Sequence, residues 1–347
     1  MNAEHIERRK KINDYRRRAM SEAKPSHCIL CGREKTSFCN SHSVPQLVLR
    51  RIADKGKVLQ ANSLIGFDLM DIDDGINSAG VFHIICDECD HRYFKDYEDE
   101  KYLLCDSPSG KMLAEIALKG ILLQLNKRLV EKRLFEIAEE ISQYELDLTE
   151  KREAQNLDIR DYTDEIEFYK ELINRPDEEC FQIVFWKVLP YVVPIATQSS
   201  FALPKDMNGQ IMADVDNLQS DKRIQSIHLG VFPLSRSSLV FLFYHKRDIE
   251  YRPLKRQFRS TPDKECIQFI NWVIFKHTEN YFISKNARSV LDNSPKLQEL
   301  SRDVQDSPNL GMFPSFLKPF YSPVGMDEIP NLLDKEYACA EVEEDDE

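Results

Sequence analysis

Residues 28–45 read CILCGREKTSFCNSHSVP and residues 86–94 read CDECDHRYF. Each Cys-x-x-Cys turn aims two thiolates at one ion, and two such turns supply the four tetrahedral sulfur ligands of a structural zinc. Cys28, Cys31, Cys86 and Cys89 are therefore the expected Zn²⁺ ligands. The alternatives are a redox Cys-x-x-Cys, which wants a thioredoxin-like setting absent here, and buried reduced cysteines without metal. The 54 residues between Cys31 and Cys86 mean that the site closes over a long insert. Cys39 lies three residues before His42, which leaves open a mixed set using either, although four thiols already saturate zinc. The remaining cysteines (Cys39, Cys105, Cys180, Cys266 and Cys339) read as packing or surface positions.

The rest of the chain agrees with a metalloprotein in a reducing compartment. It has 347 residues, 42% hydrophobic and 31% charged, a globular composition long enough for two or three domains without staples. No run approaches the roughly 18 apolar residues of a membrane span. The first twenty residues, MNAEHIERRKKINDYRRRAM, lack the apolar core of a signal peptide, so a soluble cytoplasmic protein is expected. Nine cysteines, an odd number with two Cys-x-x-Cys pairs, suggest metal before disulfides.

The net charge of −12 hides a change of sign along the chain. Residues 1–24 carry eight Lys/Arg against four Asp/Glu, bunched at Arg8–Lys11 and Arg16–Arg18. Such a segment neutralises phosphates or is a solvated helix. Residues 131–180 carry seven cations against seventeen anions, and residues 334–347 one against eight. The last stretch, DKEYACAEVEEDDE, reads as a disordered acidic tail.

Pattern divides the chain into a basic helix (1–25), a cysteine-rich module (26–105), a helical region (106–176), a mixed β-rich part (177–333) and the tail (334–347). Ser107-Pro108 starts the helical region, whose apolar residues recur at three-to-four spacing in MLAEIALKGILLQLNKRLVEKRLFEIAEEI. Runs rich in β-branched and aromatic residues after Cys180 predict a small sheet, and Thr261-Pro262 opens a further helix. The fold class is α+β.

The order of Cys-x-x-Cys, His42-x-x-Pro45, and a second Cys-x-x-Cys leading at once into a helix resembles zinc-supported HNH (His-Me finger) endonucleases over roughly residues 26–100. The resemblance implies a zinc-braced ββα (treble-clef-like) metal fold. His42 would be the general base, and Asp90 or His91 the helix-borne ligand of a catalytic Mg²⁺ or Mn²⁺. A neutral imidazole suits proton abstraction near pH 7, and a cation beside the phosphate offsets charge on the leaving oxygen. The chain departs from the family pattern twice. Ser41 stands where an acidic cation ligand usually precedes the histidine, and no Asn occupies the usual place near Gly80-Val81-Phe82-His83, Asn77 being the nearest. Asp90 would supply the missing carboxylate, and His83 a nitrogen. The implied activity is phosphodiester hydrolysis on DNA, or RNA, in bacterial defence or a mobile element. The alternative is a catalytically degenerate zinc-stabilised scaffold that binds nucleic acid, or a protein partner through its acidic helices or tail.

A weaker likeness involves His42-x-x-Pro45-x-x-x-Leu49-Arg50, Phe232-Pro233-Leu234-Ser235-Arg236, Asn271 and Tyr281-Phe282-Ile283-Ser284. Together these are similar to an uncharacterised bacterial family with an H-x-x-P-x-x-x-L-R segment. That similarity implies one architecture joining the cysteine module to the β-rich half. Lys246, Arg247, Arg252, Lys255, Arg256 and Arg259 form a second basic patch, either a phosphate-contacting loop or a solvated turn. Trp186 and Trp272 lie in apolar runs and read as core before base-stacking residues. His228, His245 and His277 share no spacing with a carboxylate and read as structural or surface.

Overall fold

A computed structural model describes residues 3–60, 72–105, 107–142, 147–176, 179–213, 222–302 and 324–339. The basic segment forms α1 (Ala3–Glu22), which ends just before Pro25. The cysteine-rich segment contributes β1 (Ser41–His42), α2 (Gln46–Ile52), β2 (Lys57–Gln60), β3 (Ile72–Gly75), β4 (Val81–Phe82), α3 (Asp87–Tyr93) and α4 (Glu100–Leu103). Two long helices follow, α5 (Gly110–Ile141) and α6 (Thr149–Asn174). The start of α5 falls two residues beyond the expected Pro108, because Ser109 caps it by accepting the Met112 N–H. The β-rich part supplies β5 (Phe181–Leu189), β6 (Ile195–Phe201), β7 (Ile227–Pro233) and β8 (Ser238–His245). It continues with α7 (Arg252–Ser260), α8 (Asp263–His277), β9 (Tyr281–Ile283), α9 (Arg288–Asp292) and α10 (Pro295–Arg302).

The protein is mixed α and β. Among the described residues, β1 and β4 form a small hairpin-like pair, and the other strands form one seven-stranded antiparallel sheet in the order β3-β2-β9-β6-β7-β8-β5. This sheet is larger than the pattern after Cys180 predicts. The difference is β2 and β3, which come from the cysteine-rich segment and join through Leu59↔Ile283 and Gln60↔Phe282. A two-strand link between distant parts of the sequence carries no local signal.

The apolar runs are nearly continuous because both faces of the sheet are covered. Along β8, Leu239, Phe241 and Phe243 pack with the cysteine segment, α5 and α6, while Val240, Leu242 and Tyr244 pack with α7 and α8. Successive strand residues point to opposite faces, so one strand feeds two cores. Helix α5 approaches β6 closely at Gly120, where an added Cβ would lie 2.1 Å from Ser200 Oγ. Beneath it Ser200 Oγ lies 2.7 Å from His228 Nδ1, and Tyr169 Oη lies 3.0 Å from Nε2 of the same ring. His228 is fully buried, and this removal from water drops its pKa to about 3. Burial likewise drops His277 to about 3.

Polar bonds tie the cysteine segment to the sheet. Ser43 Oγ donates to Asn280 Oδ1 at 2.8 Å, just before β9. Arg51 donates to Ser235 Oγ at 2.9 Å, and Ser235 donates through N and Oγ to Glu100 Oε1. On the outer side of α5, Ala19 of α1 packs with Leu134 and Ile137. Residues 334–339, read from composition as the start of a solvated tail, include a 3-10 turn at Lys335–Tyr337, and the Cys339 N–H donates to Val192 O at 2.8 Å. The acidic residues 340–347 lie outside the described residues. Among the described residues no helix is long and apolar enough to cross a membrane.

Candidate metal centre and the lysine beside it

The first Cys-x-x-Cys turn closes when the Gly32 N–H donates to Cys28 O at 2.8 Å. Gly32 has φ +67°, a left-handed conformation that a side chain disfavours even though the space around it is open. The second turn is the entry to α3, with the Cys89 and Asp90 N–H groups donating to Cys86 O at 3.0 and 2.9 Å. These two turns bring the four sulfurs of Cys28, Cys31, Cys86 and Cys89 within 4.8 Å of one another. Cys31 Sγ and Cys86 Sγ are 3.9 Å apart. A tetrahedron with Zn–S bonds of about 2.3 Å spaces its sulfurs by about 3.8 Å, so the cluster can hold a metal ion such as zinc.

The thiols of the cluster differ in their surroundings. Burial pushes the Cys28 thiol up, but N–H groups of Cys31, Cys86 and Leu30 outweigh it and bring the group to about 7. Burial and the neighbouring Cys28 charge push Cys89 well above the usual thiol range. Four close thiolates repel one another, so ionising the whole set requires a cation among them. Cys39 is different: its Sγ donates to Ile85 O at 3.2 Å, and burial raises it to about 12. Neither Cys39 nor His42 belongs to the cluster, which answers the mixed-ligand alternative.

Next to the cluster, β1 pairs with β4 through Ser41↔Phe82 and His42↔Val81, and α3 begins at the second turn. Alternation along β1 buries Ser41 and leaves His42 half-buried. Ser41 Oγ donates to Asp90 Oδ1 at 2.7 Å, which ties the strand to the helix. Between them stands Lys119 from α5. Its Nζ donates to Asp90 Oδ1 at 2.8 Å and to Ser41 Oγ at 3.0 Å, lies 3.5 Å from Glu98 Oε1, and sits 3.7 Å from the centre of the Phe94 ring. The Lys119 side chain is 1% exposed. An ammonium so deeply buried is tolerable because a carboxylate, a hydroxyl and an aromatic face replace its water. Burial raises the pKa of Glu98, with Lys119 opposing, and burial raises Glu115 to about 7.

The other expected residues have separate partners or face solvent. His42 Nε2 lies 3.0 Å from Ile76 O, a contact that only a protonated Nε2 makes, which leaves the lone pair of the neutral ring on Nδ1. Burial lowers the His42 pKa, outweighing the opposite pull of the Ile76 and Asn40 carbonyls. His91 lies on the exposed side of α3. His83 Nε2 meets Asn40 Oδ1 at 3.0 Å, and Asn77 accepts from Gln46 Nε2 at 2.7 Å. Sequence reasoning missed Lys119. Its one signal is a lone cation inside the apolar run Ile116–Leu123, where a solvated helix face would carry several. Comparison with protein-family models, curated proteins and solved structures finds no match to this chain.

Proposed function

We propose that the protein is a zinc-stabilised nucleic-acid-binding protein built on an HNH-like hairpin and helix, with its catalytic cation position occupied by its own lysine. Zn²⁺ on Cys28, Cys31, Cys86 and Cys89 would brace the loop before β1 against α3. The observation that carries the reading is Lys119 Nζ bonded to both Ser41 Oγ and Asp90 Oδ1, the two groups that would face a Mg²⁺ or Mn²⁺. A divalent ion there would lie against a buried ammonium, and the neutral Ser41 is a poor ligand for a hard cation. Exposed cations on α1, such as Lys10 and Arg16, would contact phosphates in sequence-independent fashion. The test is fluorescence anisotropy with labelled duplex DNA, single-stranded DNA and RNA, using the zinc-loaded protein. Binding that weakens with salt and persists without Mg²⁺ is expected. Absence of binding to all three would contradict the reading.

A second reading, metal-dependent hydrolysis of the HNH type, is favoured by one observation. His42 is half-buried, with Nε2 held by Ile76 O and Nδ1 carrying the lone pair a general base needs. Under that reading Lys119 would have to leave Asp90 for a cation to enter. A Mn²⁺ titration of the zinc-loaded protein separates the two. The lysine-filled site takes up no Mn²⁺ at micromolar concentrations, whereas a hydrolase binds it and loses that binding in Asp90→Asn.

A further inference from the structure

Helix α7, with sequence RPLKRQFRS, has four cations in nine residues and no acidic residue in its first turn. Leu254 and Phe258 are buried against the sheet, and Arg252, Arg256 and Arg259 are exposed on the other side. Positions i, i+4 and i+7 share one helix face, so the three guanidinium groups form a stripe of about 10 Å along the axis. That length matches about three phosphates of one strand at about 3.4 Å each. None of the three side chains has an ion-pair or hydrogen-bond partner among the described residues.

Two other cations of the basic patch contrast with this stripe. Arg247 donates to Glu165 and lies over the Phe168 ring at 3.4 Å, and Lys255 donates to Gln182 Oε1 at 2.7 Å. Even on α1, Lys11 pairs with Glu7, Arg17 with Asp14 and Arg18 with Glu22. Two of the α7 arginines also sit where they cost the helix stability, Arg259 alone lying in the last turn, where the dipole favours a cation. Like charges at i, i+3 and i, i+4 repel, and a cation at the first position of a helix opposes the helix dipole.

We propose that the Arg252, Arg256 and Arg259 face of α7 is a docking surface for the phosphate backbone of a nucleic acid, which rests on the nucleic-acid-binding reading above. The surface lies on the side of the sheet opposite the cysteine cluster, so it is a second contact region. Charge rather than apolar area defines the helix face, because the large apolar residues of α7, Leu254 and Phe258, are buried. That favours a phosphate backbone over a lipid surface, which a helix enters with exposed aromatic and leucine side chains.

The test is the triple variant R252Q/R256Q/R259Q beside the wild type, with unchanged zinc content and melting temperature as the check on folding. Anisotropy of labelled DNA and RNA is followed against salt, and co-sedimentation with phosphatidylserine vesicles is run in parallel. The expected result is that the slope of log K against log salt falls in magnitude by about 2 to 3, near 0.9 per lost phosphate contact. If the wild type binds nucleic acid and the triple variant keeps its slope, the α7 proposal is overturned while the broader reading stands. If the wild type binds no nucleic acid, both fail. Arginine-dependent binding to the vesicles without nucleic-acid binding would reassign the stripe to a membrane surface.

Discussion

Lys119 Nζ lies 2.8 Å from Asp90 Oδ1, joining the first third of α5 to the first turn of α3 where the cysteine cluster ends. The pair is unequal, with Lys119 1% and Asp90 24% exposed. Removing Asp90 takes the nearest carboxylate from a buried ammonium and leaves it Ser41 and Glu98 at 3.0 and 3.5 Å, whereas removing Lys119 leaves a carboxylate that water and Ser41 still reach. Asp90→Ala is therefore expected to cost about 2–4 kcal/mol in urea unfolding and Lys119→Met distinctly less. The double variant should cost less than the sum, as contacting residues do. Equal and additive losses would show that the contact carries no coupling.

The four-thiolate cluster predicts about one zinc per chain by atomic emission. Cys86→Ala should lose the metal and unfold the segment around it, because binding and folding are coupled. Cys39→Ala should keep the metal, since Cys39 Sγ is committed to Ile85 O. Folded, zinc-free wild-type protein would remove the cluster from the account.

At Gly120 the close approach of α5 to β6 leaves no room for a methyl group, with Ser200 Oγ 2.1 Å from the added Cβ. Gly120→Ala should destabilise by about 1–3 kcal/mol despite the better helix propensity of alanine. Adding Ser200→Gly should recover part of the loss. A Gly120→Ala protein with a raised melting temperature would contradict the packing.

His228 and His277 have folded-state values of about 3 against an ordinary 6.5. Below about pH 6.5 the unfolded chain binds protons that the folded chain does not, so stability present at pH 7 is lost as pH falls toward 3. The slope is about 1.4 kcal/mol per pH unit for each histidine. Replacing His228 by Gln should remove about one proton from the pH dependence of the urea midpoint between pH 6 and pH 4, and an unchanged dependence would place that titration elsewhere.

The sequence reveals the local parts of this structure and hides the distant ones. The Cys-x-x-Cys turns, the Pro-preceded α2, the apolar period of α5 and the aromatic strands are legible because each signal lies within one turn or strand. The β2–β9 pairing and the Lys119–Asp90 contact are not, since each joins segments with no shared pattern. At the candidate site, Ser41 marks a departure that sequence can see. Lys119, which bonds Ser41, comes from another helix and carries no such mark. The basic patch after β8 is visible as composition, but only the fold separates Arg247, bonded to Glu165, from the exposed arginines of α7.

The most direct measurement is incubation of zinc-loaded protein with plasmid DNA, single-stranded DNA and RNA in Mg²⁺ or Mn²⁺, with binding and cleavage read in the same samples beside a folded His42→Ala variant. The account predicts binding without cleavage by either protein, and binding unchanged when the divalent ion is omitted. Cleavage that requires the ion and disappears in His42→Ala would contradict it and establish Lys119 as a displaceable occupant of a working hydrolase site.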